Sequence, residues 1–282
     1  MDLDTYRIEP MSFEDLEMAV DWAAEEGWNP GLYDAKCFYA ADETGYLKGV
    51  LNGEMIASIS VVKYGAEFAF LGLYIVKPEY RGKGYGYTLW REAMRDVEGY
   101  NVALDGVVDQ QPNYKKSGFK LAHRNIRFKG RKGESLPSNQ SIDLKKLPFD
   151  HVLEYDRRFF PANRENFLKF WVSQPQTKTL VILEDQQLKG YGVIRKCRSG
   201  YKIGPVFAED DKKAMLLIQD LISELNEGDD FFLDIPEVNQ KAYALTQALS
   251  MESVFETARM YTKEQPDFDL SKIFGITSFE LG

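Results

Sequence analysis

Cysteine and histidine are scarce in this chain. Cys37 and Cys197 are the only thiols, and His123 and His151 the only imidazoles, in 282 residues. Two cysteines cannot build a disulfide framework or a thiolate zinc site, and each reads as a small buried hydrophobe. Two histidines exclude a multi-histidine metal centre and leave little material for a Ser-His-Asp triad, so no metal is expected. No apolar run is long enough to span a bilayer. The start, Met1-Asp2-Leu3-Asp4, lacks the basic-then-apolar layout of a signal peptide, so the expected location is the cytoplasm, with no membrane partner. Positive charge is also short: 35 Lys and Arg face 44 Asp and Glu, a net charge of -9 that argues against nucleic-acid binding. The shortage is sharpest at the front, where the first 43 residues hold twelve acids against only Arg7 and Lys36. That surface suits a cationic acceptor, or is a solvated helix face.

The rest of the composition is that of a globular chain, 44% hydrophobic and 28% charged, and its length suits one large or two medium domains. The informative stretch runs from Leu71 to Trp90. An apolar run ends at Val76, Lys77-Pro78 breaks it, and Arg81-Gly82-Lys83-Gly84-Tyr85-Gly86 leads into an amphipathic helix. Strand, glycine-rich turn and helix make an anion cradle: glycine opens backbone conformations closed to other residues, and the first helical turn presents unpaired N–H groups. The spacing excludes a Walker loop and a Gly-x-Gly-x-x-Gly dinucleotide fingerprint. It matches Arg-x-x-Gly-x-Gly, carried by Arg81, Gly84 and Gly86.

At these residues the chain resembles the GNAT N-acetyltransferases. The resemblance implies acetyl-coenzyme A as cofactor, its pyrophosphate held by Arg81, Gly82, Lys83, Gly84, Tyr85 and Gly86, and its pantetheine arm by the backbone of Tyr74, Ile75 and Val76. Tyr114, in Tyr114-x-x-x-Gly118-Phe119, matches the family tyrosine that donates a proton near the coenzyme A sulfur. The family often places Asn seven residues before this tyrosine; that position is Val107 here, and Asn113 stands directly before Tyr114 as a cofactor contact instead. Asp105 resembles, in its strand position, the site where some members carry a Glu base. Direct attack of an amine on the thioester needs no covalent residue, consistent with cysteines in no catalytic context.

Element order extends the argument. Helical spacing of Phe13, Leu16, Ala19, Val20 and Ala23 follows a Ser12 capping pattern. The loop Gly27-Trp28-Asn29-Pro30-Gly31 suits a pocket lining, so Glu25, Trp28 and Asn29 are expected to bind the acceptor; Glu25 and Glu26 are further base candidates. Asp34 is expected to cap a second short helix. Strands are expected at 46–51, 55–63 and 67–76, then the helix after the glycine loop, a strand at 102–108 and a last strand at 121–128. Residues 142–282 repeat this order without the glycine cluster: the corresponding stretch ends in Glu209-Asp210-Asp211. The expected fold is therefore α+β (α/β mixed), with two tandem GNAT-like domains, each a mostly antiparallel mixed sheet flanked by helices. A catalytic domain spans 1–130, a linker 131–141, and a degenerate domain 142–282. The charged and aromatic stretch 156–164 either covers the acceptor pocket or, the favoured reading, forms the domain interface, and the hydrophobic tail 273–282 is expected to dock. The expected function is acetyl transfer to the primary amine of a small, cationic acceptor; the alternative is a non-catalytic acyl-coenzyme A sensor. An exposed sheet edge or the tail leaves a homodimer open.

Overall fold

The computed structural model describes residues 5–134 and 137–282; the first four residues, and Ser135 and Leu136 of the expected linker, lie outside the described residues. The first half runs β1 (Tyr6–Pro10), α1 (Phe13–Glu25), α2 (Asp34–Ala41), β2 (Tyr46–Leu51), β3 (Glu54–Tyr64), β4 (Phe68–Val76), α3 (Tyr85–Asp96), β5 (Asn101–Val107), α4 (Gln111–Lys116) and β6 (Lys120–Arg131). The second half runs β7 (Ile142–Asp143), α5 (Phe149–Asp156), α6 (Glu165–Trp171), β8 (Thr177–Glu184), β9 (Gln187–Lys196), β10 (Tyr201–Ala208), α7 (Asp211–Ser223), β11 (Asp230–Pro236), α8 (Gln240–Ala248), β12 (Glu252–Tyr261) and β13 (Ile273–Gly275). Ser12 caps α1 through the Asp15 N–H at 3.2 Å, and the Asp15 carboxylate returns to the Ser12 N–H at 2.8 Å. Asp34 does not cap α2. It is that helix's first residue, and its buried carboxylate bonds Arg195 of β9 at 2.9 and 3.2 Å.

All the strands among the described residues join one sheet, in the order β1-β2-β3-β4-β5-β12-β6-β11-β10-β9-β8-β7, with β13 on β10. The halves exchange their last long strands. β12, from the second half, completes the first half's sheet against β5, and β6, from the first half, completes the second half's sheet against β11. Both are antiparallel to each other as well. The sheet thus runs on from one half to the other through strands each half lends to the other.

Helices cover both faces. α3 packs Leu89, Trp90 and Ala93 onto Ile56, Ile59 and Leu71, and α7 packs Leu217, Ile218 and Leu221 onto the second half. The opposite face holds one continuous core, in which α1 and α2 meet α5 and α6: Phe38 stacks on Trp171 at 6.4 Å. Within 156–164, Asp156 takes a bidentate bond from buried Arg164 at 2.7 and 2.8 Å, and Arg164 also donates to the Gly282 carbonyl at 3.1 Å. This cluster lies in the core where the halves meet, as the sequence suggests.

Candidate active site

β4 and β5 run parallel and in register from Phe68↔Asn101 to Leu71↔Leu104, and then separate. The separation follows from a bulge in β4. Its ladder to β3 shifts between Ser58 and Ser60, and Leu73 sits at φ 46°, held there by the Ser58 hydroxyl bonding its carbonyl at 2.7 Å. Beyond Leu71 the facing edges of the two strands are unpaired and a cavity of about 530 Å³ opens between them.

The glycine loop forms the outer end of this cavity. Gly82 and Gly84 have φ of 74° and 88°, and nothing lies within 4 Å of the place a side chain would occupy at either. Gly84 is the residue before α3, so the unpaired N–H groups of Tyr85, Gly86 and Tyr87 start at the cradle. Gly86 serves packing: a methyl group there would stand 2.7 Å from Val76 and 2.8 Å from the Tyr74 hydroxyl. Arg81 bonds the Val76 carbonyl at 2.7 Å and the Glu26 carboxylate, which joins the loop to the end of α1. An open glycine cradle, a helix N-terminus, an arginine and two strands with unpaired edges fit a long molecule with a pyrophosphate at one end.

Tyr114 closes the inner end. It is buried on α4, stacks on Trp90 at 5.6 Å, and lies so close to β5 that a methyl on Gly106 would come within 2.1 Å of its ring. Burial, with the Tyr74 phenol adding to it, pushes its pKa to about 12. The hydroxyl therefore keeps its proton at neutral pH.

Of the expected residues, Tyr74, Val76, Arg81, Gly82, Gly84 and Gly86 line this cavity, and so do Tyr114, Asp105 and Trp28. Ile75 turns its side chain into the core, as strand alternation requires. Lys83 lies over the Tyr80 ring at 5.5 Å, Tyr85 packs on Tyr6 at 4.9 Å, and Asn113 bonds Gln110 at 2.8 Å; none of the three lines the cavity. Glu25 is exposed and outside it, and its neighbour Glu26 takes the wall position. Asn29 is also outside: its amide is spent on both backbone groups of Ser199, at 2.9 Å each. The 27–31 loop still matters, because Arg127 at 2.7 Å and Lys202 at 3.4 Å both bond the Trp28 carbonyl and fix that ring in the wall.

Asp105 is engaged. Arg259 of β12 bonds both its oxygens, at 2.9 and 2.5 Å, and Asn125 adds a third bond at 2.8 Å. Burial pushes its pKa above the usual carboxylate range, and Arg259 and Asn125 act against that rise. Sequence reasoning missed the opposite wall, which comes from the second half: Phe255 and Thr257 on β12, and Phe279 and Glu280 on the tail. The tail passes directly over β4, and a methyl group on Gly72 would meet the Glu280 carbonyl oxygen at 2.2 Å.

The second half has the same splay and fills it. β10 and β11 are parallel only from Tyr201↔Phe231 to Ile203↔Leu233, and β13 then pairs with β10 while Ile276 bonds the Asp234 carbonyl at 2.8 Å. The chain's own tail occupies the place that is open in the first half.

The matches to known proteins agree with this geometry. Residues 7–119 match the acetyltransferase (GNAT) family model, and residues 152–275 match a second acetyltransferase (GNAT) domain model. The chain is 32% identical over 279 residues to the holothin acyltransferase of Pseudoalteromonas sp. (strain SANK 73390), covering 99% of this chain and 95% of that one. Its fold matches the crystal structure of a proposed acetyltransferase from Pyrococcus horikoshii with a TM-score of 0.85 at 20% identity, over 100% and 98% of the two chains. It also matches a tandem GNAT protein from the clavulanic acid biosynthesis pathway with a TM-score of 0.64 at 14% identity, over 93% and 100%. Among the described residues no helix is long and apolar enough to cross a membrane. With two GNAT domains on one α+β sheet and a relative alike along almost its whole length, this chain belongs to the GNAT acetyltransferase family and is an acyltransferase.

Proposed function

We propose that this chain moves an acetyl group from acetyl-coenzyme A to the primary amine of a small acceptor. The observation that carries the reading is a single cavity that joins the glycine cradle to the Tyr114 hydroxyl and continues to a wall of aromatic and acidic side chains. When bound, the cofactor supplies an activated acyl thioester. The N–H groups of Tyr85, Gly86 and Tyr87, with Arg81, would hold its pyrophosphate, and the free edge of β4 at Tyr74 and Val76 would hold its arm. Tyr114 Oη keeps its proton to about pH 12, and there it would be the group that donates a proton to a departing thiolate. Asp105 works by fixing Arg259, and so β12, against the site. The likeness to a holothin acyltransferase supports a small molecule as acceptor.

The test is a thermal melt with and without acetyl-coenzyme A on the wild type and on Gly84→Glu, followed by thiol release with a panel of primary amines. Ligand at a hundredfold above its Kd should add about 2.7 kcal/mol to the wild type. Gly84→Glu, with a large anion at φ 88°, should abolish the shift. A shift without thiol release would defeat the primary-amine acceptor, and no shift would remove the coenzyme A reading altogether.

A further inference from the structure

Among the described residues the cavity has one reachable acid and one cation, and the two are paired with each other. Arg81 is the only Lys or Arg in its lining. Of the three acids there, Asp105 and Glu280 have buried carboxylates. Arg259 neutralises the first, and the second lies in the fields of Arg127, Arg195 and Lys202. Glu26 is different. Its side chain is 33% exposed and that of Arg81 47% exposed, and their ion pair joins the end of α1 to the glycine loop at the outer end of the cavity.

Helix α1 itself gives no reason for an acid at this place. Glu26 is the residue that ends the helix, where unpaired carbonyls disfavour negative charge, and the last turn of α1 carries no basic residue. Its counter-charge is Arg81. An ion pair this open to water is weak. A pyrophosphate offers the guanidinium more charge and a bidentate partner. In the cofactor reading above, Arg81 therefore changes partner when the donor binds. Glu26 is then left in the wall without the cation that neutralised it, and with new negative charge nearby. Trp28, the next lining residue along the chain, adds an aromatic ring to the same wall.

We propose that Glu26 is a cation site that the donor opens. It holds Arg81 in the free chain, yields it to the pyrophosphate, and then binds an ammonium group of the acceptor. This rests on the cofactor and amine-acceptor readings above. The ligand class is a small molecule with an ammonium group on an apolar body, because Trp28, Phe255 and Phe279 also line the cavity. Two properties follow from the exchange of partners. Donor and acceptor bind cooperatively, and by linkage each raises the affinity of the other by the same factor. Glu26 also opposes the donor when no acceptor is present, since the pyrophosphate must take Arg81 from it.

Calorimetry on the full chain at pH 7 tests this, with coenzyme A, which has no acyl group to transfer, and with benzylamine and its uncharged counterpart benzyl alcohol. In the wild type, saturating coenzyme A should tighten benzylamine about tenfold, and saturating benzylamine should tighten coenzyme A by the same factor. Benzyl alcohol should gain nothing. Glu26→Gln keeps the size and removes the charge. It should bind coenzyme A alone about threefold tighter and show no coupling to benzylamine. Glu25→Gln removes the same charge outside the cavity and should keep the coupling. Benzylamine that gains nothing, a Glu26→Gln variant that keeps the gain, or a Glu25→Gln variant that loses it overturns the proposal. So does weaker coenzyme A binding by Glu26→Gln, which would make Glu26 a support for Arg81 and not its competitor. Coenzyme A that fails to bind the wild type defeats the cofactor reading and this proposal with it, whereas binding without coupling defeats this proposal alone.

Discussion

Arg259 stands directly opposite Asp105 across the β12–β5 ladder, and Arg127 stands directly opposite Asp234 across the β6–β11 ladder. Both pairs are bidentate and buried. Each joins the strand after one half's long helix to the final long strand of the other half, so the same pair is used twice to hold the exchange. Burial alone would lower the Arg259 pKa, but Asp105 more than offsets it, and the guanidinium stays charged.

Arg259→Met would leave Asp105 buried without its counter-charge. The expected cost is about 3–5 kcal/mol, read as a lower urea midpoint. Adding Asp105→Leu should recover most of it, since a packed apolar pair can replace a buried ion pair. An unchanged midpoint for the single variant would mean that the pair does not hold the exchanged strand.

His123 faces Arg259 in the β6–β12 register and is 4% exposed. Burial, with the Arg259 charge adding to it, lowers its pKa from 6.5 to about 3. The folded chain therefore keeps the imidazole neutral where the unfolded chain protonates it. The stability this supports is complete above pH 6.5 and is lost as pH falls from 6.5 towards about 3. Urea midpoints at pH 7, 5 and 4 should decline less steeply for His123→Gln than for the wild type, and parallel declines would refute the assignment.

Tyr114→Phe removes one hydroxyl and keeps the ring on Trp90 and Gly106. Turnover should fall by about 10²- to 10⁴-fold, the usual weight of a positioned acid. The melting shift with acetyl-coenzyme A should persist. With the phenol pKa at about 12, Tyr114 should contribute no titration to the pH–rate profile below pH 10. Full turnover in the variant would remove Tyr114 from the chemistry.

Gly72→Ala places a methyl where the Glu280 carbonyl oxygen is only 2.2 Å away. The atom the methyl meets is backbone and cannot swing aside, so the tail must lift. We expect a cost of about 1–3 kcal/mol and faster hydrogen exchange at 278–282, with protection in β3 and β8 retained. Unchanged exchange in the tail would show that it sits less tightly on β4 than the geometry requires.

What could be read from sequence was local. The glycine loop, the helix it starts and the order of strands follow from turn chemistry and periodicity, and those elements stand where the spacing puts them. Arg81, Gly84 and Tyr114 reached the cavity for the same reason. Asn29 did not, because its partner Ser199 is 170 residues away. Glu25 failed by one position: successive helical residues point about 100° apart, and Glu26 is the one that faces Arg81. The acceptor wall was hidden by the strand exchange, which no pattern within the first half reveals. A signal was present all the same. Asp105 and Asp234 each interrupt an apolar strand at the same point of the repeated order, and Glu280 is the lone charge in the apolar tail. A charge in an otherwise buried run needs a partner or a task.

The exchange of β6 and β12 also bears on inheritance. A protein whose halves finish each other's sheets cannot be trimmed to its working end. Deleting the second half would strip the neighbour from β5 and take Phe255, Thr257, Phe279 and Glu280 out of the site in one event. Drift can close that half's own slot, as β13 has, but cannot discard the half. The two therefore descend together as one heritable unit, the second half persisting as a wall of the cavity that the first half opens.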